Sequence, residues 1–309
     1  MRVVSCIGAL WLACAASADD AATAADEPVL RFAWHLPGGA AVEETASRQG
    51  DITIVRYRID AQPHPDGDII VEQSDMQLLQ FNGEDPKLAL GVMYGPVLAM
   101  ASNVPAMRID REGQFVDVVD LGKTIDRMVE LLVQDLTVLE PAMVRDMIVA
   151  ARTPTVMQLT VDATRSRWNN WVGHWAGMPL KSQGWSYHEP QNNLDGMKTL
   201  RSSALVEHLG AASETGHTRM RLTTIWEGAI DHADQRMLPA SDRSPASDDV
   251  SMQISNTVDA TVDTATLRPL IVTTTTETTV HSGEQSQVDT QSHEYRFTWA
   301  DRLATGTSH

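Results

Sequence analysis

The sequence predicts an α+β protein in which a curved antiparallel β-sheet is covered by a central helical segment. Three observations predict it: strand patterns fill residues 28–120, helical spacing fills 121–177, and strand patterns return over 178–302. A sheet with one apolar face must bury that face against another element. The central helices are the candidates for this cover.

The amino-terminal residues 1–18 resemble a secretory signal peptide. Arg2 precedes an apolar run over 3–14, and the small residues 16–18 follow as a cleavage site. The run is too short to span a bilayer comfortably as a helix. We therefore expect an exported protein, periplasmic or secreted, whose mature chain starts near Asp19 with a disordered lead-in over 19–27.

A lipid-anchored form is the alternative. Cys6 and Cys14 both lie inside the leader, and residues 10–14 loosely resemble a lipoprotein cleavage box with Cys14 as the lipidated residue. Trp11 stands where that box has a small aliphatic side chain. Cleavage after Ala18 would instead leave a chain without cysteine, and hence without disulfides or thiolate chemistry.

The formal charge of −17 disfavours nucleic acid and anionic surfaces as partners, because phosphate contacts need clustered Lys and Arg. After the leader, no long uncharged apolar stretch predicts a transmembrane helix. The charge does not indicate an oligomeric state.

Turn residues separate the predicted strands in the amino-terminal part of the chain. Strands are predicted over 29–34, 53–59, 69–71, 107–109 and 115–119. Alternation places Val55, Tyr57 and Ile59 on one face. Residues 63–68 and 110–113 are predicted turns, and the second closes a hairpin.

Three helices are then predicted from apolar spacing and proline placement. The first covers 125–139 and ends before Pro141, the second is short and ends before Pro154, and the third runs to a glycine cap at Gly177. The third carries Trp168, Trp171 and Trp175 on one face.

The carboxyl-terminal third returns to strands. They are predicted over 218–226, 250–254, 270–280 and 293–299, with an exposed loop over 238–249 and a tail over 303–309. The run over 270–280 is rich in β-branched residues, which favour extended structure.

This order of strands, helices and strands resembles periplasmic lipid and lipoprotein carriers that have an open half-barrel around helices. It also resembles exported bacterial families of unknown function. The resemblance covers architecture and no diagnostic motif. It implies an apolar ligand on the concave side of the sheet.

Catalytic and cofactor motifs are absent from the sequence. It contains no HExxH pair, no GxSxG or SxxK nucleophile, and no phosphate-binding glycine loop, so no cofactor or metal is expected. A hydrolase site assembled only by folding stays open as a second alternative. Its candidates are His188 and Glu189, which lie in a predicted loop, and His217. A Glu227 and Asp231 pair is uninformative among so many carboxylates.

Tryptophan supplies eight of the sixteen aromatic residues, and methionines share the apolar faces of the same helices. Such surfaces suit irregular apolar ligands, but helices also bury large side chains as ordinary core. The candidate ligand-binding residues are Met128, Leu132, Met147, Trp168, Trp171 and Trp175.

The sequence thus favours a non-enzymatic, exported protein of the bacterial envelope. Its expected partner is an apolar or amphipathic small molecule, a lipid, or another envelope protein. The first alternative is a surface lipoprotein or interaction module anchored at Cys14.

Overall fold

The structure, a computed structural model, describes residues 28–135, 149, 152–180, 185–191, 200–229, 250–282 and 285–300. The leader, Cys14, the lead-in, the loop over 238–249 and the tail lie outside these residues.

One antiparallel sheet dominates the described residues. Its eleven strands are β1 (Gly38–Arg48), β2 (Asp51–Pro63), β3 (Ile69–Phe81), β4 (Met107–Ile109), β5 (Phe115–Val118), β6 (Trp185–Gln191), β7 (Leu200–Ala211), β8 (His217–Ala229), β9 (Val250–Asp263), β10 (Pro269–Ser282) and β11 (Gln285–Trp299). They lie in the order β5-β4-β3-β2-β1-β11-β10-β9-β8-β7-β6, so the sheet is open with β5 and β6 at its edges.

The first and last strands meet in the middle of the sheet. β1 pairs with β11 along its length, from Ala40 opposite Trp299 to Arg48 opposite Gln291. Each half of the sheet is a meander in which every strand pairs with its neighbour in sequence. The β1–β11 pair joins the two meanders.

The helices follow β3 and β5 along the chain. They are α1 (Pro86–Leu90), a 3-10 turn (Gly91–Met93), α2 (Tyr94–Ser102), α3 (Leu121–Asp135), α4 (Pro154–Trp168) and a π-helical turn (Asn169–Gly173). Pro154 lies in the first turn of α4, and the Thr153 hydroxyl accepts a hydrogen bond from the Val156 amide at 3.4 Å. Both features are typical of helix starts.

The predicted antiparallel sheet and the central helices are confirmed, although the protein is mainly β. Helices form only a small part of the described chain, so α+β is correct only in broad terms. The first predicted helix is α3, the second lies almost wholly outside the described residues, and the third becomes α4 and the π-helical turn. The predicted hairpin over 107–119 is confirmed as β4 and β5.

One prediction near the amino terminus is wrong. Residues 29–34 do not join the sheet, because their backbone pairs with the segment that follows the π-helical turn: the Leu30 amide donates to Met178 and the Leu30 carbonyl accepts from Gly177, both at 2.8 Å. Val29 forms only an isolated bridge with Pro179. Residues 86–102, left without a prediction, form α1 and α2.

An aromatic cluster fixes α4 and the π-helical turn to the sheet. Its members are Phe32, Trp34, Trp168, Trp171, Tyr295, Phe297 and Trp299. The Trp34 ring lies 5.4 Å from that of Trp168 and 4.7 Å from that of Trp299, in both cases edge to face. Such pairs add to the free energy gained by burying the rings.

The turn between β4 and β5 takes part in this cluster. The indole Nε1 of Trp168 donates to the Gly113 carbonyl at 2.8 Å. Gly113 has a φ of +89°, and a Cβ there would lie 2.7 Å from Phe32, so only glycine fits. Trp171 differs, because its Nε1 is buried without a hydrogen-bond partner among the described residues.

These two tryptophans give a matched pair of substitutions. Trp168→Phe leaves the Gly113 carbonyl without its donor, whereas Trp171→Phe removes a donor that has no partner. We expect Trp168→Phe to lower the free energy of unfolding by about 1–3 kcal/mol more than Trp171→Phe, because an unpaired buried polar group carries its full desolvation penalty. Urea unfolding followed by circular dichroism measures the difference. Equal losses in the two variants would contradict this account.

Candidate functional site

A groove runs along α4 on the side facing the segment that follows α2. We call it the α4 groove, and it has a volume of about 360 Å³. It is lined by Asn103, Val104, Pro105, Val156, Leu159, Thr160, Ala163, Thr164 and Arg167. The helical residues recur at spacings of three and four, which places them on one face of α4.

The polar groups in the walls of the α4 groove are already bonded within the protein. The Thr160 and Thr164 hydroxyls donate to carbonyls one turn earlier, at 3.0 and 2.7 Å. The Asn103 side-chain amide donates to the Thr124 carbonyl at 2.8 Å. The walls therefore offer a ligand mainly apolar contacts.

Arg167 is the one charged residue among the described residues that line the α4 groove. Its side chain is half-buried, and Nη1 donates to Oε1 of Gln73 at 3.4 Å. The Tyr295 hydroxyl interacts with both Arg167 and Glu44. Arg167 thus connects the groove to a polar cluster on the sheet.

This polar cluster is centred on Glu44 of β1, whose side chain is 12% exposed. The two carboxylate oxygens are both bonded: Oε1 lies 2.9 Å from Nδ1 of His293, and Oε2 accepts from the Tyr57 hydroxyl at 3.3 Å. All these residues lie on the face of the sheet that carries the aromatic cluster. We call Glu44, Tyr57, Arg167, His293 and Tyr295 the Glu44 cluster.

The Glu44 carboxyl is ionised at neutral pH. Burial acts to raise its pKa, but the hydrogen bond with His293 and the charge of Arg167 together lower that pKa below its ordinary value. Burial raises the pKa of Tyr57 and of Tyr295, so both hydroxyls keep their protons and can donate.

His293 joins Glu44 to Gln291. Nδ1 of His293 lies 2.9 Å from Oε1 of Glu44, and Nε2 lies 2.8 Å from the side-chain amide nitrogen of Gln291. Both ring nitrogens therefore have a partner, which fixes the orientation of the imidazole within the cluster.

A larger depression of about 700 Å³ lies on the other face of the sheet, beside the turn between β7 and β8. Its lining includes Glu214, Arg219 and Arg296. The guanidinium of Arg296 is paired with Glu294 at 2.7 Å, and that of Arg219 donates to the Leu209 carbonyl at 3.4 Å. These charged groups are exposed, so the α4 groove is the better candidate for an apolar ligand.

Of the six ligand-binding residues named from the sequence, the four whose side chains the structure describes do not line the α4 groove. Trp168, Trp171 and Trp175 are fully buried at 0% exposure within the filled interior, where they pack as core. Met128 is half-buried beside Ile125 and Val129 of α3. The Leu132 side chain and Met147 lie outside the described residues. A ligand contact by any of the six stays a prediction.

The candidate hydrolase residues are separated along the sheet. His188 and Glu189, which the sequence places in a loop, belong to β6, and His188 is aligned through Ser203 with Ile225 of β8. His217 lies at the start of β8, eight residues before Ile225 and hence about 26 Å away along the strand. Asp231 lies outside the described residues. In the part of the chain that the structure describes, no group of three His, Cys, Asp or Glu residues could hold a metal ion.

The described helices include none with the length and hydrophobicity needed to cross a membrane.

No family model and no curated protein matches the chain. Among solved structures, it is similar to a lipovitellin structure described as "lipid-protein interactions in lipovitellin", with a TM-score of 0.39 and 8% sequence identity. The similarity covers 84% of this chain and 25% of that one, so this chain spans about a quarter of the lipovitellin chain. A similarity with so low a TM-score supports no conclusion about the function of this chain.

His174, next to the π-helical turn, makes the stability of the fold depend on pH. Burial lowers the pKa of His174 from an ordinary 6.5 to about 4. Between these pH values the unfolded chain binds a proton that the folded chain does not bind. The free energy contributed by His174 is therefore present above pH 6.5 and is lost as pH falls towards 4.

We expect acidification from pH 7 to pH 4 to reduce the stabilising contribution of His174 by about 3 kcal/mol. Urea unfolding of the wild type and of His174→Gln at several pH values gives the two curves, and the wild type should lose more stability over this range. His281→Gln, at an exposed position of β10, is the control and should follow the wild type. Parallel curves for the wild type and His174→Gln would rule out this role.

Proposed function

We propose that this protein is an exported, non-enzymatic binding protein for an apolar or amphipathic small molecule, which it holds in the α4 groove. The observation that carries the proposal is the groove itself, with apolar walls whose hydroxyl and amide groups are already bonded inside the protein. A volume of about 360 Å³ lies within the range of small-molecule sites.

The position of Leu159 supports this proposal. Leu159 is 51% exposed although it lines the α4 groove, and Val156 lies one turn before it. Covering such apolar surface with a ligand removes it from water and gives about 25 cal/mol per Å². The walls can therefore bind a hydrocarbon chain without rearrangement of their hydrogen bonds.

We expect the neutral fluorophore N-phenyl-1-naphthylamine to bind the purified protein and to gain fluorescence. Ala163→Trp should reduce its affinity at least tenfold, because Ala163 lines the groove and a bulky side chain would fill it. Ser166→Trp is the matched control, since Ser166 is exposed on α4 but does not line the groove. A fluorescence titration of the three proteins measures both effects.

Two results would contradict the proposal. One is the absence of fluorescence gain with the wild type. The other is equal affinity of the wild type and Ala163→Trp when circular dichroism shows that both are folded.

The export part of the proposal is supported by the sequence of residues 1–18 alone. We expect protein recovered from a bacterial host to begin near Asp19, because signal peptidase cleaves after small residues such as Ala18. Intact mass spectrometry measures the amino terminus. A lipid-modified Cys14 at the amino terminus would favour the anchored alternative, and an intact Met1 in cytosolic material would overturn export.

A further inference from the structure

We propose that Arg167 makes the α4 groove a site for a single-chain amphiphile with one anionic head group, of which a long-chain carboxylate is the simplest example. The inference rests on the proposed function, and it names the chemical class of the ligand and the residue that selects it. The apolar chain would lie along α4, and the anion would contact the guanidinium.

The first step concerns the hydrogen-bond donors of Arg167. Its contacts with Gln73 and Tyr295 are with neutral side chains, and none of the ion pairs within the described residues includes Arg167. A guanidinium has five N–H donors in a planar fork that matches a carboxylate. Arg167 therefore keeps donor capacity for an anion that enters the groove.

The second step is the state of Glu44, which is the nearest competing anion. Its two oxygens are bonded to His293 and Tyr57, and its charge acts on Arg167 through space. An entering carboxylate would not need to break a direct ion pair. Glu44 compensates the charge of the half-buried guanidinium in the empty protein, but it would also repel a bound anion.

The third step is the low polarity of the rest of the groove. The threonine hydroxyls on α4 donate to the helix backbone, so the walls offer an anionic group no other charged partner among the described residues. Charges interact more strongly where water is excluded. An anionic group should therefore be bound at the Arg167 end and an apolar chain elsewhere.

The length and volume of the groove favour one chain over two. Val156 and Arg167 are eleven residues apart on α4, which is about 16 Å along the helix axis. A volume of about 360 Å³ is at the lower end of the range for small-molecule sites. Dodecanoate is therefore a suitable probe, and 1-dodecanol is its uncharged match.

The experiment measures how dodecanoate and 1-dodecanol displace N-phenyl-1-naphthylamine at pH 8. We expect the wild type to bind dodecanoate at least tenfold more tightly than 1-dodecanol. In Arg167→Gln the ratio of the dodecanoate affinity to the 1-dodecanol affinity should fall to about one. Arg167→Lys should keep part of the preference, because it keeps the charge without the planar fork.

Variants at Glu44 separate a local charge effect from a loss of folding. Glu44→Gln should raise the preference for dodecanoate, because it removes the repulsion between Glu44 and the ligand. The double variant Glu44→Gln, Arg167→Gln removes both charges together, so neither is left without its opposite. It should fold and should show no preference for dodecanoate over 1-dodecanol. Acetate, which has the head group without the chain, should not displace the fluorophore from any of these proteins.

The possible results distinguish the role of Arg167 from the proposed function itself. Equal binding of dodecanoate and 1-dodecanol by the wild type would overturn the role of Arg167 and leave the proposed function standing. A preference that persists in Arg167→Gln and in the double variant would also overturn that role. Failure of both amphiphiles and the fluorophore to bind the wild type would overturn the proposed function itself.

Discussion

The packing of tryptophan against tryptophan between α4 and the sheet is the constraint on which the candidate site depends. Trp168 contacts Trp34, which in turn contacts Trp299 of β11, and Trp171 contacts Tyr295 of the same strand. These edge-to-face contacts fix the carboxyl-terminal end of α4 over the middle of the sheet. Arg167 is the residue before Trp168, so the same packing places its guanidinium where its charge interacts with that of Glu44. The aromatic residues therefore position the site without lining it.

The sequence predicted those elements in which the spacing of apolar residues agrees with the positions of proline and of turn residues. Residues 107–119 combine apolar alternation with a turn that starts at Asp110 and ends at Gly113, and they form β4 and β5. Pro154 marks the start of α4. β1 was not predicted, because Glu43, Glu44 and small residues conceal its alternation, and its ladder partners come from distant parts of the chain. Residues 29–34 show the opposite error, because a strand was predicted there and the structure has none in the sheet. Their composition is typical of a strand, but their backbone pairs with the segment after the π-helical turn.

The candidate site was harder to predict than the fold. Helical spacing identified the side of the predicted third helix that carries Trp168 and Trp171, and it indicated that this side could be either core or a ligand wall. Burial at 0% shows that it is core, and the groove lies along a different line of residues on α4. The Glu44 cluster combines residues from β1, β2, β11 and α4, and no spacing in the sequence relates them. Glu44 lies at an inward position of β1, but because β1 was not predicted, the sequence alone does not single this residue out.

The central pairing of β1 with β11 has a consequence for how the molecule assembles. Each meander can form from neighbouring strands, but the seam between them requires contacts such as that of Ser47 with Ser292, which are 245 residues apart. Contacts of such long range form slowly, and strand edges exposed in the meantime can pair with other chains. A ribosome-bound chain lacking its final strand would therefore hold two unjoined sheets, and the seam can close only after synthesis of β11.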